Sequence, residues 1–319
     1  MPGRAVFNGI EKSLVDVTRH AVHEHSQRGS QARVAFQGEP GAFSEEAVER
    51  FFADPSPVAV PSWRSIFEAI ANGEVEAGVA AIENSLAGSI RETYDLLLEF
   101  WEAGIRIVGE VSVPVRLALL ALPGEGLDEI TRVYSHAQAL AQADEFLRTR
   151  DWQVMTTYNT AGAARMIAER HERGAAAVAS PRVAKLYGLD ILAGDIQTGA
   201  DNDTRFAVLA PGDLDPGWLR APASEGARRK TTFVFAVRNI PGSLHRSLGA
   251  FAERELNLSK LESRPSRTAR WEYVFWVDLD ADAAEPRAAE ALEALRRESE
   301  MVRVLGSYAA SPAAQRTNP

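Results

Sequence analysis

The stretch "GADNDTRFAVLA", residues 199–210, places polar side chains directly before a strand that is expected to be buried. Asn202, Thr204 and Arg205 stand before the apolar residues 206–210. Polar groups at the mouth of a buried strand are costly unless they are paired. A hydroxyl beside an amide and a guanidinium suits hydrogen bonding and proton donation to a bound oxyacid better than nucleophilic attack. Threonine is also a common strand residue, so this segment alone leaves a structural role open.

Composition limits the classes of protein to which the chain can belong. Its 319 residues, 45% of them hydrophobic, suffice for one large domain or two domains with a sizeable core. A net charge of -9 argues against nucleic acid as the main partner. The chain has no cysteine, which excludes disulfides, thiolate metal sites and a cysteine nucleophile and fits a reducing compartment.

The sequence offers no membrane segment and no secretion signal. The longest apolar run, residues 111–122, is interrupted by Pro114 and Arg116 and is too short to span a bilayer. The N-terminus lacks the apolar core of a signal peptide. We therefore expect a cytoplasmic protein without a membrane partner.

Residues 1–30 are polar and weakly patterned, which predicts an N-terminal tail. His20, His23 and His25 in this tail could hold a metal, but no further ligands follow at a suitable spacing. The chain also has no G-x-S-x-G elbow and no P-loop. No metal site is therefore predicted.

Residues 31–213 alternate short apolar runs with helical periods, which predicts an α/β domain with mostly parallel strands. The predicted strands are 33–37, 57–60, 76–82, 105–111, 132–135, 153–158, 175–180 and 204–210. The predicted helices are 45–53, 62–72, 89–102, 136–149, 160–171 and 181–187.

A second pattern begins after the stretch 211–229, which is rich in Pro, Gly and Ala and has no period. We place a linker at 214–228. Residues 229–310 then follow the order βαββαβ of a ferredoxin-like unit, and 311–319 form a C-terminal tail.

Four polar clusters stand at strand ends, where open parallel sheets bind their ligands. In "FQGEPGAFSEEA", residues 36–47, Gly38 and Gly41 permit a tight turn before a helix whose free N–H groups suit an anion. In "YSHAQALAQADEF", residues 134–146, Ser135 and Gln142 are seven residues apart and share one helix face.

The other two clusters are "AAIENSLAGSI", residues 80–90, and the opening stretch. Glu83, Asn84 and Ser85 end an apolar strand, and Ser89 stands near the next helix start, where a simple cap is an equally good interpretation. His136 in the third cluster is interpreted as a surface or capping histidine, because the sequence pairs it with no nucleophile.

Taken in order, the four clusters over residues 33–210 resemble the prephenate dehydratase family. The C-terminal unit resembles an ACT regulatory domain. The stretches that carry this second resemblance are "NIPGSLHRSL" (239–248), "NLSKLESRP" (257–265) and "WEYVFWVDLDA" (271–281). Three positions depart from the usual family pattern, namely Ala137, Thr198 and His245.

The resemblance implies an α/β fold in which a two-lobed catalytic domain, similar to the type II periplasmic-binding fold, is followed by the ACT unit. The chain should cross between the lobes near 109–113 and 188–200. Thr204 corresponds to the threonine that the family uses as proton or hydrogen-bond donor to the leaving hydroxide. The residues implied to hold prephenate are Glu83, Asn84, Ser85, Ser89, Ser135, Gln142, Asn202 and Arg205.

The family reaction removes carbon dioxide and hydroxide from prephenate to give phenylpyruvate, in phenylalanine biosynthesis, and needs no metal or organic cofactor. The ACT resemblance further implies a homo-dimer or tetramer that phenylalanine regulates. The implied effector residues are Gly242, Ser243, Leu244, Glu262, Ser263 and Pro265.

Alternatives stay open on the sequence alone. The substrate could be arogenate, the transaminated form of prephenate. The chain could also be an amino-acid sensor that has lost catalysis, although a sensor has no need for Thr204. Arg205 could be structural and pair with a carboxylate such as that of Glu83. Residues 1–30 are too short for an additional chorismate mutase unit.

Overall fold

The computed structural model describes residues 31–199, 201–220, 227–238, 240–265 and 273–311. The N-terminal tail with its three histidines and most of the predicted C-terminal tail lie outside these residues. Among the described residues, none of the helices is both long and apolar enough to cross a bilayer.

The first lobe is built on a mixed sheet with the strand order β2-β1-β3-β11-β5, and β4 pairs with β3. Its strands are β1 (Arg33–Gln37), β2 (Ser56–Val60), β3 (Ala77–Asn84), β4 (Gly88–Ser89), β5 (Arg106–Pro114) and β11 (Asp203–Ala210). Its helices are α1 (Phe43–Phe51), α2 (Trp63–Ala71) and α3 (Arg91–Glu99).

The second lobe has the strand order β10-β6-β9-β7-β8. Its strands are β6 (Ala118–Ala121), β7 (Arg132–His136), β8 (Gln153–Thr157), β9 (Ala175–Ala179) and β10 (Asp190–Ala193). Its helices are α4 (Ala137–Gln142), α5 (Asp144–Leu147), α6 (Thr160–Arg170) and α7 (Arg182–Tyr187).

The predicted catalytic-domain strands and helices appear within a few residues, except that the helix predicted over 136–149 is two short helices, α4 and α5, separated by Ala143. The expectation of mostly parallel sheets was wrong. β11 runs antiparallel to both β3 and β5, and β6 runs antiparallel to β9 and β10. The antiparallel strands are the ones that carry the chain between lobes. A strand that returns from the other lobe enters its sheet without a crossover helix, so nothing restricts it to the parallel direction.

The crossings lie slightly later than expected. Residues 109–113 are still part of β5, so the first crossing is at 115–117, and the second is at 194–202. Strand β6 was missed, because Pro114 and Arg116 made its surroundings look like an interrupted apolar run.

The C-terminal unit has the predicted βαββαβ order and forms an antiparallel sheet in the order β13-β14-β12-β15. Its elements are β12 (Arg229–Val237), α8 (Ser243–Ala252), β13 (Leu258–Pro265), β14 (Tyr273–Leu279), α9 (Pro286–Glu298) and β15 (Ser299–Ala309). Phe233, Phe235 and Val277 face the two helices. Val234 and Trp276 face the first lobe instead, so both sides of this sheet are buried.

The C-terminal sheet lies directly on the first lobe. Gly306 of β15 is so close to β5 that a Cβ atom there would overlap the carbonyl oxygen of Ile107. Tyr94 of α3 packs edge-on against Trp276 with ring centroids 4.9 Å apart. The two units therefore share one continuous apolar core.

We predict that Gly306→Ala destabilises the protein, because the new methyl group meets backbone that cannot rotate away. Overpacking of this kind costs about 1–3 kcal/mol or more. Urea unfolding is the measurement, with Gly194→Ala as the matched control, since a Cβ at Gly194 meets no atom within 4 Å. Equal midpoints for the two variants would contradict the close packing of β15 on β5.

Candidate active site

A cleft of about 340 Å³ lies between the two lobes. Its walls come from strand ends of the first lobe and from the first turns of α1, α4 and α6. The polar lining residues are Gln37, Ser44, Asn84, His136, Gln138, Gln142, Tyr158, Asn159, Thr160 and Thr204. The apolar lining includes Phe43, Trp63, Ile90, Val115, Leu117 and Phe206.

Thr204 and Asn84 face each other across neighbouring strands. They are register partners in the β11–β3 pair, and the Asn84 amide nitrogen donates to the Thr204 hydroxyl oxygen at 3.0 Å. An amide N–H can only donate, so the Thr204 oxygen is the acceptor here. The hydroxyl proton of Thr204 is thereby left for a partner in the cleft.

The orientation of Asn84 is set by further hydrogen bonds. Its side-chain oxygen accepts from the backbone N–H groups of Leu86 and Ala87 at 3.1 and 2.9 Å. Its nitrogen also donates to the side-chain oxygen of Asn202 at 2.8 Å. Asn84 is only 4% exposed and Asn202 only 2%, so this pair forms a buried support behind the Thr204 hydroxyl.

A β-bulge in β3 aims Asn84 at the cleft. Arg205 stands opposite Glu83, but Phe206 stands opposite Ala81, so Ile82 is the additional residue on β3. Ile82 packs in the core shared with the C-terminal sheet, and Glu83 pairs on that same side. A strand without a bulge would alternate and turn Asn84 away from the cleft.

Arg205 lies on the opposite face of β11 from Thr204, at the contact with the C-terminal sheet. Its guanidinium reaches Glu83 at 2.7 Å, Glu110 at 3.1 Å and Asp278 at 2.7 Å. Lys230 pairs with Glu110 at 3.0 Å, and Lys260 pairs with Glu83 at 3.1 Å. These six side chains, three cations and three carboxylates, are called the Arg205 cluster below.

Charges within the Arg205 cluster shift each other's pKa values. Burial alone raises the pKa of Asp278, but the charge of Arg205 and the hydrogen bonds from Thr232 and Arg205 outweigh it and hold this pKa below its usual range. Burial alone lowers the pKa of Arg205, but the charges of Asp278 and Glu110, together with Tyr94 and Tyr308, outweigh it and hold this pKa above its usual range. Both groups therefore stay ionised throughout the neutral range.

Loops from the two lobes meet at the rim of the cleft. Gly38 and Gly41 have φ of +123° and +89°, as the predicted tight turn requires. Between them, Glu39 accepts a hydrogen bond from the Tyr158 hydroxyl at 2.8 Å and pairs with Arg165 at 3.1 Å. The rim is thus closed by a contact between lobes, with the ring of Tyr158 lining the cleft beneath it.

The structure brings part of the predicted substrate set together. Asn84, Gln142 and Thr204 line the cleft. Asn202 stands behind them, and Ser85 joins the returning chain by donating to the carbonyl of Asp201 at 2.9 Å. The remaining predicted residues, whose contacts are described next, are not among the described residues that line the cleft: Glu83, Ser89, Ser135 and Arg205.

Ser135 is fully buried and donates to the carbonyl of Val178, so it joins two strands of the second lobe. Ser89 donates to Glu262 and accepts from Lys260 at 2.8 Å, both in the C-terminal unit. Glu83 and Arg205 form the structural pair that the sequence left as an alternative. Their contacts explain why buried charges are tolerated there, since each has an opposite charge within reach.

Sequence reasoning missed several lining residues. Tyr158, Asn159 and Thr160 come from the β8–α6 connection, and Ser44 and Gln37 come from the first cluster. His136 was interpreted as a capping residue, and its Nδ1 does accept from the N–H of Gln138 at 3.3 Å, yet its ring also lines the cleft. Their place in the sequence could have identified them, because each follows the carboxyl end of a predicted strand or lies at that end.

A second cavity, also about 340 Å³, lies on the helix side of the C-terminal sheet. Three of the predicted effector residues line it, namely Gly242, Ser243 and Leu244. Arg238, Ile240, His245, Tyr273 and Phe275 complete its described walls together with Val237.

The other predicted effector residues lie on β13. Ser263 pairs in register with Phe275 and Pro265 with Tyr273, which places both on the face of the cavity. Glu262 is on the opposite face, where it contacts Ser89 and Lys260. Glu262 was expected to contact the effector, but its side chain points away from the second cavity.

Comparison with known proteins gives matches over both parts of the chain. The family model described as prephenate dehydratase matches residues 34–213, and the ACT domain model matches residues 231–297. A protein of Arabidopsis thaliana named arogenate dehydratase/prephenate dehydratase 2, chloroplastic, is 42% identical over 294 residues, which cover 89% of this chain and 74% of the relative.

Solved structures with the same fold extend over nearly the whole chain. A prephenate dehydratase from Arthrobacter aurescens in complex with L-Phe has a TM-score of 0.75 and 31% identity, over 87% of this chain and 90% of its own. GqqA, described as a novel type of quorum quenching acylase, has a TM-score of 0.76 and 33% identity, over 88% and 98%.

We predict that Arg205→Met destabilises the protein by about 3–5 kcal/mol, because it leaves buried carboxylates without their central cation. Asp278 loses its guanidinium partner and retains the hydrogen bond from Thr232. Urea unfolding at neutral pH measures the loss. Arg116→Met is the control, since both side chains of the Arg116–Asp195 pair are about two-thirds exposed and exposed ion pairs contribute little to stability. A loss no larger than the control's would contradict the structural role of the cluster.

Proposed function

The chain belongs to the prephenate dehydratase family and carries an ACT domain, and we propose that Thr204 is the hydrogen-bond donor to the hydroxide that leaves prephenate. The single observation that carries this proposal is the Asn84–Thr204 hydrogen bond, in which the Thr204 oxygen accepts. A hydroxyl whose oxygen already accepts a fixed bond directs its own proton toward the cleft. The reaction of the family is the decarboxylative dehydration of prephenate to phenylpyruvate.

The reaction requires a hydrogen-bond donor that is well placed at the leaving hydroxyl, and this donor does not need to be a strong acid. As carbon dioxide leaves, the electrons of its C–C bond enter the ring and expel the ring hydroxyl as hydroxide. Thr204 donates a hydrogen bond to that oxygen, and Asn84 stabilises the negative charge that this donation shifts onto the Thr204 oxygen. Positioned proton donation of this kind contributes about 10²–10⁴-fold to rate.

Neutral donors around the cleft suit the rest of the substrate. Gln142 and Asn159 approach from the second lobe, and Gln37 approaches from the first. The first turns of α1 and α6 add free backbone N–H groups, which favour carboxylates. Prephenate carries two carboxylates and a keto group, all of which accept hydrogen bonds.

The regulatory part of the proposal concerns the second cavity. Phenylalanine fits walls made of Leu244, Ile240 and Phe275 with Arg238 near its carboxylate, and the L-Phe complex of the Arthrobacter aurescens relative supports this choice of effector. A homo-dimer or tetramer belongs to the proposal as well. Location in the cytoplasm is also proposed, and the cysteine-free composition fits the reducing compartment that this location would provide.

Thr204→Val removes the hydroxyl while keeping the shape of the side chain, so we predict that kcat for prephenate falls at least about a hundredfold. Thr204→Ser keeps the hydroxyl and should stay within about tenfold of the wild type. The assay is release of phenylpyruvate at neutral pH, corrected for spontaneous decomposition of prephenate. A Val variant as active as the Ser variant, with both folded, would exclude Thr204 as the donor.

We further predict that prephenate is turned over with a higher kcat/KM than arogenate. None of the described residues that line the cleft carries a carboxylate, from which an ammonium group gains most, whereas the amides of Gln142 and Asn159 can donate to a keto oxygen. Parallel assays with the two substrates decide between them. A higher kcat/KM for arogenate would contradict this prediction.

A further inference from the structure

Strand β14 connects the effector cavity to the active site through its two faces. Tyr273 and Phe275 point to the cavity on the helix side. Trp276 and Asp278 point to the first lobe, where Trp276 meets Tyr94 and Asp278 meets Arg205. One strand of seven residues therefore contacts both the effector cavity and the Arg205 cluster behind the active site.

Asp278 is held firmly on its own side of this contact. It is 3% exposed, and its second oxygen accepts a hydrogen bond from Thr232 at 2.7 Å. Thr232 in turn shares a 2.7 Å hydrogen bond with the Tyr308 hydroxyl. The carboxylate thus moves with β12, β14 and β15 as part of the C-terminal sheet.

Arg205 transmits this position to the catalytic hydroxyl. It follows Thr204 directly in β11, and its register partner Glu83 directly precedes Asn84 in β3. The Arg205–Glu83 pair and the Thr204–Asn84 pair are therefore adjacent rungs of the same two strands. A shift of Arg205 along or away from β3 changes the 3.0 Å hydrogen bond between Asn84 and Thr204.

We propose that Asp278, a residue of the ACT domain, is a positioning residue for the dehydratase reaction: its ion pair with Arg205 holds Thr204 in register with Asn84, and effector binding acts on catalysis through this pair. The proposal rests on the proposed function of the cleft and of the second cavity. It assigns to the regulatory domain a part in the basal reaction.

Asp278→Asn is a mild test, because Arg205 keeps the carboxylates of Glu83 and Glu110 and the amide can still accept from Thr232. We expect kcat for prephenate to fall at least fivefold, while KM stays within twofold, since the cleft lining is unchanged. The ratio of activities with and without saturating phenylalanine should move from its wild-type value to nearly 1.

Asp280→Asn is the matched control, two residues further along, where the carboxylate pairs with Asn257 and Arg228 outside the cluster. It should leave kcat, KM and the phenylalanine response at wild-type values. If Asp278→Asn does not fold by circular dichroism, Thr232→Val replaces it. Thr232→Val keeps every charge and removes the hydrogen bond that Thr232 donates to the Asp278 carboxylate. It should therefore lower kcat and weaken the phenylalanine response, as expected for Asp278→Asn, by at least twofold.

The outcomes separate this proposal from the proposed function. Suppose that Thr204→Val is inactive, while Asp278→Asn has the same kcat and the same phenylalanine response as Asp280→Asn. The positioning role of Asp278 is then overturned, and the proposed dehydratase function is retained. If wild-type activity does not respond to phenylalanine, the proposed regulation through Asp278 is wrong. If kcat of Asp278→Asn is also unchanged, the proposed positioning role in the basal reaction is wrong as well. A fivefold lower kcat with an unchanged KM and a lost response supports the proposal in full.

Discussion

The pairing of β11 with β3 is the constraint on which the other features depend. Because side chains alternate along β11, a register that turns Thr204 toward the cleft must turn Arg205 toward the C-terminal sheet. The bulge at Ile82 lets β3 match this alternation, with Asn84 on one face and Glu83 on the other. A slip of one residue would bury Thr204 against the ACT sheet and place a guanidinium in the cleft. The catalytic geometry and the contact between domains are therefore set by a single register.

The Arg205 cluster contributes little net stability to the contact between the two domains, since buried ion pairs often stabilise a protein no more than apolar residues of the same volume. The cluster instead fixes the relative position of the two domains. Around it the interface is apolar, with Tyr94, Leu97 and Leu305 in one core that would tolerate small sliding. Paired charges lose far more when they are displaced than apolar contacts do, so Asp278 and Lys230 fix where the ACT sheet sits on β11. Gly306 complements them by allowing β15 to approach the backbone of β5.

Much of this arrangement could be predicted from local sequence, and the rest depends on distant partners. The apolar periods predicted the elements, polar residues at strand ends indicated Asn84 and Thr204 for the cleft, and a helix face indicated Gln142. Alternation alone also separates Thr204 from Arg205. The bulge could not be predicted, because nothing in "AAIENS" marks one residue as additional. Asp278 lies 73 residues after Arg205 and reads as an ordinary strand-end carboxylate, so its role appears only when the two sheets meet.

The shared core also limits how the ACT domain can act. A regulatory unit joined by a flexible linker alone would have to influence catalysis by blocking the cleft, but here the sheet is packed on the strands that carry Thr204 and Asn84. Closely packed cores respond by small rigid shifts rather than by continuous deformation. A ligand in the second cavity that rotates β14 slightly must therefore move either the whole first-lobe sheet or the Arg205 cluster. The cluster is the direct route, because Asp278 belongs to β14 and its partner Arg205 is next to Thr204 in β11.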